Sequence, residues 1–299
     1  MTTTNGMLLI DKPSGVTSHD VVARVRRVLG ERRVGHAGTL DPMATGLLVM
    51  GVGPSTRLLR FAQGETKEYE GVVTFGVATD SLDGDGLVTE RRAVPALTRE
   101  HVNVVASRML GRQLQTPPMV SALKVGGQRL HALARRGIEV EREPRSVTIT
   151  SFSLDATDDP TRWSFSVTCS PGTYVRVLLS DLADALGTVG HLSALRRVAS
   201  GDHRLDAAIG LDELAERVDA GATVLAPPRA FITRLVAVVV TKDDELRLRQ
   251  GQRLDVEGGN AEEIAALNEA GDLIGILRRR GSSWQPVLVL ANDESSAPG

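Results

Sequence analysis

Gly35-His36-Ala37-Gly38-Thr39-Leu40-Asp41-Pro42-Met43-Ala44-Thr45-Gly46 is the densest signal in the chain. Two closely spaced glycines predict a tight backbone, and Pro42 disfavours the α-helical conformation at the residue before it. Pro42 also brings no N–H of its own. The stretch either presents Asp41 on a turn, or Asp41 simply opens a turn or helix, as Asp-Pro pairs commonly do. Spacing leaves both readings open. A phosphate loop is excluded on pattern, since neither GxxxxGK[ST] nor GxGxxG is present.

Upstream of this run, residues 7–10 form a short apolar strand stopped by Lys12-Pro13-Ser14-Gly15. Thr17 or Ser18 then caps a helix whose apolar positions Val21, Val22, Val25, Val28 and Leu29 recur at helical spacing. Arg24, Arg26, Arg27, Arg32 and Arg33 ride on and after it, so bases outnumber acids locally although the whole chain carries a formal net charge of −2. A polyanionic partner must therefore be held by local patches.

Downstream, residues 69–79 alternate like a strand, Asp85-Gly86 marks a hairpin turn, and 97–110 reads as a helix. The segment 115–145, with Pro117-Pro118, Lys124, Arg129, Arg135 and Arg136, reads as a basic excursion or as a solvated loop. Residues 147–154 and 163–169 are strand-like, while 177–186 and 192–198 read as helices. Past Pro227-Pro228 the pattern turns to short β runs at 235–240, 251–256, 273–278 and 287–290, which suggests a small β-barrel or sandwich. The polar tail after Ala291 is expected to be disordered. The expected organisation is 1–230, 231–291 and a tail at 292–299.

One cysteine among 299 residues excludes an internal disulfide and a multi-cysteine zinc site, as suits a reducing compartment. No apolar run approaches the roughly 18 residues that would span a bilayer. A soluble, cytoplasmic protein is expected. No second histidine stands at ligand spacing from His36, and Asp80, Asp83 and Asp85 lack the EF-hand order, so they read as a polar turn.

The nineteen residues GHAGTLDPMATGLLVMGVG, 35–53, resemble the signature of TruB-type tRNA pseudouridine synthases. Leu9-Ile10-Asp11-Lys12-Pro13-Ser14-Gly15, Lys67-Glu68-Tyr69, Ser121-Ala122-Leu123-Lys124 and Gly172-Thr173-Tyr174-Val175-Arg176, followed by Leu195-Arg196-Arg197, fall in that family's order. The likeness covers residues 6 to about 204; the C-terminal segment resembles, more faintly, a PUA RNA-binding domain. The resemblance implies an α+β fold with a mixed, largely antiparallel sheet flanked by helices, plus a small C-terminal β-barrel. It implies isomerisation of uridine 55 in the T-arm of tRNA by base flipping, with Asp41 as nucleophile. The reaction conserves atoms and needs no redox change, so no cofactor and no metal are expected. A monomer is expected.

The remaining roles follow from that resemblance. Arg176 would keep Asp41 ionised and oriented, where by itself it could be an exposed strand arginine. Tyr69 would stack on the flipped uracil, against the plainer reading of core packing. Tyr174, two residues before Arg176 and on the same face if the segment is a strand, would touch the base and offer a phenol for the C5 proton. Leu195 would wall the pocket, and His36 would fill the space left by the extruded nucleotide. Lys12, Arg24, Arg27, Arg32, Arg33, the 124–136 loop with Lys124, and Arg196-Arg197 are candidate phosphate contacts. In the C-terminal part, Arg247, Arg249, Arg253 and Arg278 to Arg280 form the candidate RNA surface. A non-catalytic tRNA-folding protein and a two-carboxylate glycosidase are the alternatives; Asp41 has no evident partner acid for the latter.

Overall fold

The computed structural model describes residues 4–119, 124–125, 128–129 and 140–290. Most of the basic excursion, the Lys124 side chain and the tail expected to be disordered lie outside these residues. In chain order the strands are β1 (Gly6–Lys12), β2 (Val34–His36), β3 (Thr45–Val52), β4 (Lys67–Phe75), β5 (Val77–Thr79), β6 (Val88–Arg91), β7 (Gly111–Gln115), β8 (Lys124–Val125), β9 (Gln128–Arg129), β10 (Arg145–Ala156), β11 (Arg162–Cys169), β12 (Gly190–Ser200), β13 (His203–Arg204), β14 (Val236–Val239), β15 (Glu263–Leu267), β16 (Leu273–Arg280) and β17 (Ser283–Val289). The helices are α1 (Ser18–Leu29), α2 (Leu59–Gln63), α3 (Arg99–Ser107), α4 (Val175–Ala185), α5 (Leu211–Asp219) and α6 (Lys242–Arg249).

A nine-stranded mixed sheet runs β1-β3-β12-β4-β11-β10-β7, with β2 pairing β3 and β13 pairing β12. All its ladders are antiparallel except the short parallel contact of β12 with β3. The expectation of a mixed, largely antiparallel sheet flanked by helices is met. Helix α1 forms where its apolar spacing predicts. Thr17 caps it in a full capping box with Asp20, Gly30 closes it in the left-handed region (φ 63°), and Val21, Val22 and Val25 are buried. These valines pack with Leu8, Ile10, Leu48 and Met50 of β1 and β3, and with Leu211 and Leu214 of α5. On the far half of the sheet, α3 and α4 cover Val73, Phe75, Ile149, Leu154, Phe165 and Val167.

Four expectations are corrected. Residues 192–198 are not a helix but the middle of β12. A bulge between Leu192 and Ala194 shifts its register, so buried Leu192 and Leu195 stand three apart and imitate a helical period. Tyr174 and Arg176 do not share a strand: Tyr174 is the extended N-cap of α4, and Arg176 lies in that helix's first turn. The run 69–79 is broken at Gly76 (φ 89°), which separates β4 from β5. Residues 251–256 form no strand, only a bridge from Leu254 to Trp284, and the charged stretch before them folds as α6, capped by Thr241.

The C-terminal strands form an open four-stranded sheet, β14-β15-β16-β17. Its two faces are both covered. Ala265, Ile276 and Leu288 pack against Met7, Leu47, Leu58 and Phe231, while Ile264, Ala266, Ile274, Leu277 and Trp284 pack with Val240, Leu248 and Leu254.

Gly46 is the tightest junction in the large sheet. Its φ is 99°, and a Cβ there would stand 2.3 Å from the Arg197 carbonyl oxygen and 2.7 Å from its nitrogen, where β3 runs parallel to β12. Gly46→Ala is expected to destabilise the fold by about 3 kcal/mol or more, read as a lower urea midpoint at unchanged m-value.

Candidate active site

The turn carrying Asp41 is braced from below by main chain and side chain together. Ser18 Oγ accepts from Leu40 N at 2.9 Å and donates to Leu40 O at 3.1 Å, so α1 fixes the residue before Asp41 in both directions. Gly15 N donates to Pro42 O at 2.9 Å, and Ala44 N to Asp41 O at 3.1 Å. Lys12 is fully buried, and its ammonium donates to the carbonyls of Pro13 (2.8 Å), Val16 (2.7 Å) and Pro42 (3.2 Å). Burial lowers its pKa to about 8. Lys12 is thus a brace under the turn; enclosed in this way it is corrected as an exposed phosphate contact.

Arg176 faces this turn from the first turn of α4 and is 2% exposed. Its Nη2 lies 3.3 Å from Asp41 Oδ2, and its Nη1 lies 3.1 Å from Asp83 Oδ2 and donates to Ser81 O at 3.3 Å. Gln115 clasps the Tyr174 backbone, with Nε2 donating to its carbonyl at 3.1 Å and Oε1 accepting from its N–H at 2.7 Å. Asp83 is held in turn, accepting from Ser81 Oγ at 2.5 Å and from Asp85 N at 3.2 Å. Its loop docks on β12, where Leu192 N donates to Leu82 O and Gly84 N to Leu192 O. Leu82 pays for that docking with a left-handed backbone (φ 64°), a conformation that costs a non-glycine residue on the order of 1–3 kcal/mol.

Asp83 is the residue that sequence reasoning missed. Reading Asp80, Asp83 and Asp85 as a polar turn was right for the local backbone. It gave no hint that one of the three is buried against a guanidinium about ninety residues away in sequence. The only available signal was an acid-rich loop set beside a strand-to-strand turn.

Asp41 sits at a cavity of about 360 Å³ lined by Tyr69, Lys67, Tyr174, Leu192, Leu195, Arg145 and Arg197. Its pKa is raised, chiefly by burial; Arg176 opposes this, Asp83 adds to it, and Lys12 opposes it. Tyr69 and Leu195 are each 9% exposed and line the wall, while the Arg176 guanidinium lies 5.8 Å from the centre of the Tyr174 ring. His36 is half-buried on β2, and burial lowers its pKa, so it is neutral. The structure therefore gathers Asp41, Arg176, Tyr174, Tyr69 and Leu195 at one cavity, with Lys12 beneath it and His36 at the start of the turn.

The arginines fare unevenly. Arg197 is 1% exposed, which corrects its expected place among surface phosphate contacts. Arg196 pairs with Asp11 at 2.7 Å, Arg24 with Asp212, and Arg33 with Glu31 at 3.7 Å. Arg27 and Arg32 remain exposed with no acid partner among the described residues. In the C-terminal part Arg247, Arg249 and Arg278 pair with Asp244, Glu245 and Glu263, and Arg279 lies over Trp284. Among the described residues no group of three or more His, Cys, Asp or Glu could hold a metal, and no helix is long and apolar enough to cross a membrane.

A carboxylate steered by a buried guanidinium, at a cavity walled by tyrosine and leucine, defines an enzyme that works through an acid on a flat, partly apolar group. A family model described as TruB family pseudouridylate synthase (N terminal domain) matches residues 26–175. The chain is 41% identical to the tRNA pseudouridine synthase B of Leifsonia xyli subsp. xyli, covering 97% of this chain and 98% of that protein. It is 43% identical to that of Geobacter sulfurreducens, over 88% of each. Among solved structures, an H/ACA RNP bound to a substrate RNA containing 2'-deoxyuridine superposes with a TM-score of 0.74 over 96% of this chain and 86% of that one, and a Cbf5-Nop10-Gar1 complex with 0.73 over 96% and 84%; both are 20% identical and speak for the fold. The chain belongs to the TruB family of pseudouridylate synthases.

Because burial raises the Asp41 pKa, the folded carboxyl holds its proton to higher pH than the unfolded one. Stability is then lost as pH rises from the unfolded pKa through the folded one. Asp41→Asn removes this penalty, so the variant should be more stable than the parent at pH 7. The gap should close below the ordinary carboxylate range, as followed by urea denaturation at several pH values.

Proposed function

We propose that this chain isomerises uridine to pseudouridine in tRNA, at uridine 55 of the T-arm, with Asp41 as the nucleophile. The observation that carries the reading is the Arg176 guanidinium shared between Asp41 and buried Asp83 at the edge of the Tyr69–Leu195 cavity. Residues 1–230 carry the chemistry. The C-terminal segment, 231–291, acts as a PUA-like RNA-contacting unit, and the protein works as a monomer in the cytoplasm.

The flipped base enters the cavity with one face against Tyr69 and an edge against Leu195. Extrusion from a stacked loop costs on the order of a few kcal/mol, which phosphate contacts must offset. Arg27, Arg32 and Arg145 are exposed for that purpose, with the 124–136 loop. Asp41 adds to the nucleoside as a carboxylate, so it must be ionised. Arg176 supplies the counter-charge that keeps it so despite burial, while Asp83 fixes the guanidinium so that it cannot follow Asp41 away. An enclosed pocket keeps water from the intermediate, whose hydrolysis would leave an abasic site. No step calls for a cofactor or a metal.

Incubation of the chain with unmodified tRNA should place pseudouridine at position 55, mapped by chemical labelling. Asp41→Asn should bind the tRNA with affinity within about threefold of the parent and make no pseudouridine. Binding should weaken with salt, since phosphate contacts release counterions. Release of free uracil, or product only outside the T-loop, would overturn the reaction or the substrate respectively.

A further inference from the structure

Arg197 is a buried cation that the ion pairs of the fold leave unused. It is 1% exposed and has no carboxylate within ion-pair distance among the described residues. Nε donates to Leu47 O at 2.7 Å and Nη2 to Gly38 O at 3.1 Å, so it ties β3 to the first half of the Asp41 turn. A guanidinium kept in a protein interior without an acid is expensive, and two carbonyls do not neutralise it.

Its neighbour across the ladder is Tyr69. In the antiparallel pairing of β12 with β4, Arg197 stands directly opposite Tyr69, so the two side chains share a face and project toward the same cavity. The guanidinium approaches the Tyr69 hydroxyl as a hydrogen-bond donor. Lys67, buried two residues along β4 and donating to the carbonyls of Ala62, Gln63 and Glu65, adds a second acid-free cation to the floor. The charged and titratable groups that bear on Tyr69 are thus Arg197 from β12, Cys169 from β11, and Asp41 from the turn. Tyr174, the other phenol of the cavity, has its ring near Arg176, whose charge is already shared by two carboxylates.

The geometry points to Arg197 as a positioning residue for the isomerisation: it fixes the Tyr69 hydroxyl and supplies the positive charge that lets this phenol, rather than Tyr174, carry the migrating proton. This rests on the reading of the chain as an active uridine isomerase. The reaction exchanges the C1′–N1 bond for C1′–C5 and moves one proton from C5 to N1. When C1′–N1 breaks, N1 keeps the electron pair and takes the Tyr69 proton, leaving a phenolate beside Arg197. After the base turns and C5 has bonded to C1′, the C5–H bond breaks. Its proton goes to the phenolate, and its electron pair restores the C5–C6 double bond. Tyr69 ends as a phenol, and nothing is oxidised or reduced. Burial alone pushes the Tyr69 phenol up, and Arg197 opposes that rise.

The test uses the full chain with unmodified tRNA and with tRNA carrying deuterium at uridine C5. Arg197→Met should lower kcat about 10²–10³-fold, the usual weight of a proton-transfer group, with KM within about threefold. Arg197→Lys, which keeps the charge, should recover all but about tenfold. The C5-deuterium isotope effect on kcat should be larger in Arg197→Met than in the parent, because a structural loss alone would not slow C5–H cleavage selectively. In a Tyr69→Phe background, Arg197→Met should cost no more than about twofold, since the two residues act as one unit. An unchanged isotope effect, or a full additive loss in the Tyr69→Phe background, overturns the inference; so does an enlarged isotope effect that appears in Tyr174→Phe and not in Tyr69→Phe. If Arg197→Met does not fold, Arg197→Lys carries the same comparison. A parent chain that makes no pseudouridine fails the underlying reading, and the wild-type assay separates that outcome from the others.

Discussion

One guanidinium, Arg176, organises the cavity by standing between two acids. Alone, a buried arginine or a buried aspartate would be costly; together they are tolerable only while the geometry holds. Asp83 takes one nitrogen and is almost wholly enclosed, while Asp41 takes the other and stays about a third exposed (35%) on its substrate side. The asymmetry matters more than the pairing. The enclosed acid holds the cation still, and the open one is free to react.

Several pieces of otherwise unremarkable fold exist to keep that arrangement rigid. Gln115 seizes both backbone groups of Tyr174, the last residue before α4, so the helix that carries Arg176 starts from a fixed point. The loop holding Asp83 is stitched to β12 through Leu192 and accepts a left-handed leucine to reach it. Beneath Asp41, Ser18 and Lys12 bind carbonyls of the turn rather than ligands. Preorganisation of this kind is distributed over β1, α1, β12 and α4, which is why no single local motif contains it.

What could be read from the chain before its structure was local. The strand-turn-helix at the start and the Asp41 turn follow from short-range pattern and capping, and the structure keeps them. Residues 192–198 misled because a bulge gave a strand the spacing of a helix, and period is the only clue that sequence offers there. Tyr174 and Arg176 misled because a two-residue offset means one thing on a strand and another across a helix start. Lys12 and Arg197 misled because a basic residue near an RNA enzyme's motif suggests phosphate, whereas carbonyls in the fold claim both. Asp83 was invisible for the most general reason: its meaning lies in a partner about ninety positions away. The C-terminal helix α6, with three acids in its first turn and two arginines in its last, was overlooked in favour of the β runs around it.

The bulge in β12 acts as a phase shift within a single strand. Before it the inward residues are even-numbered, Gly190 and Leu192; after it they are odd, Leu195 and Arg197. The cavity wall and its buried cation thus depend on one extra residue near Ser193. Loss of that residue would turn Arg196 inward and Arg197 out to solvent while leaving the composition of the strand almost untouched. For this stretch, chain length is as much a part of the chemical specification as residue identity.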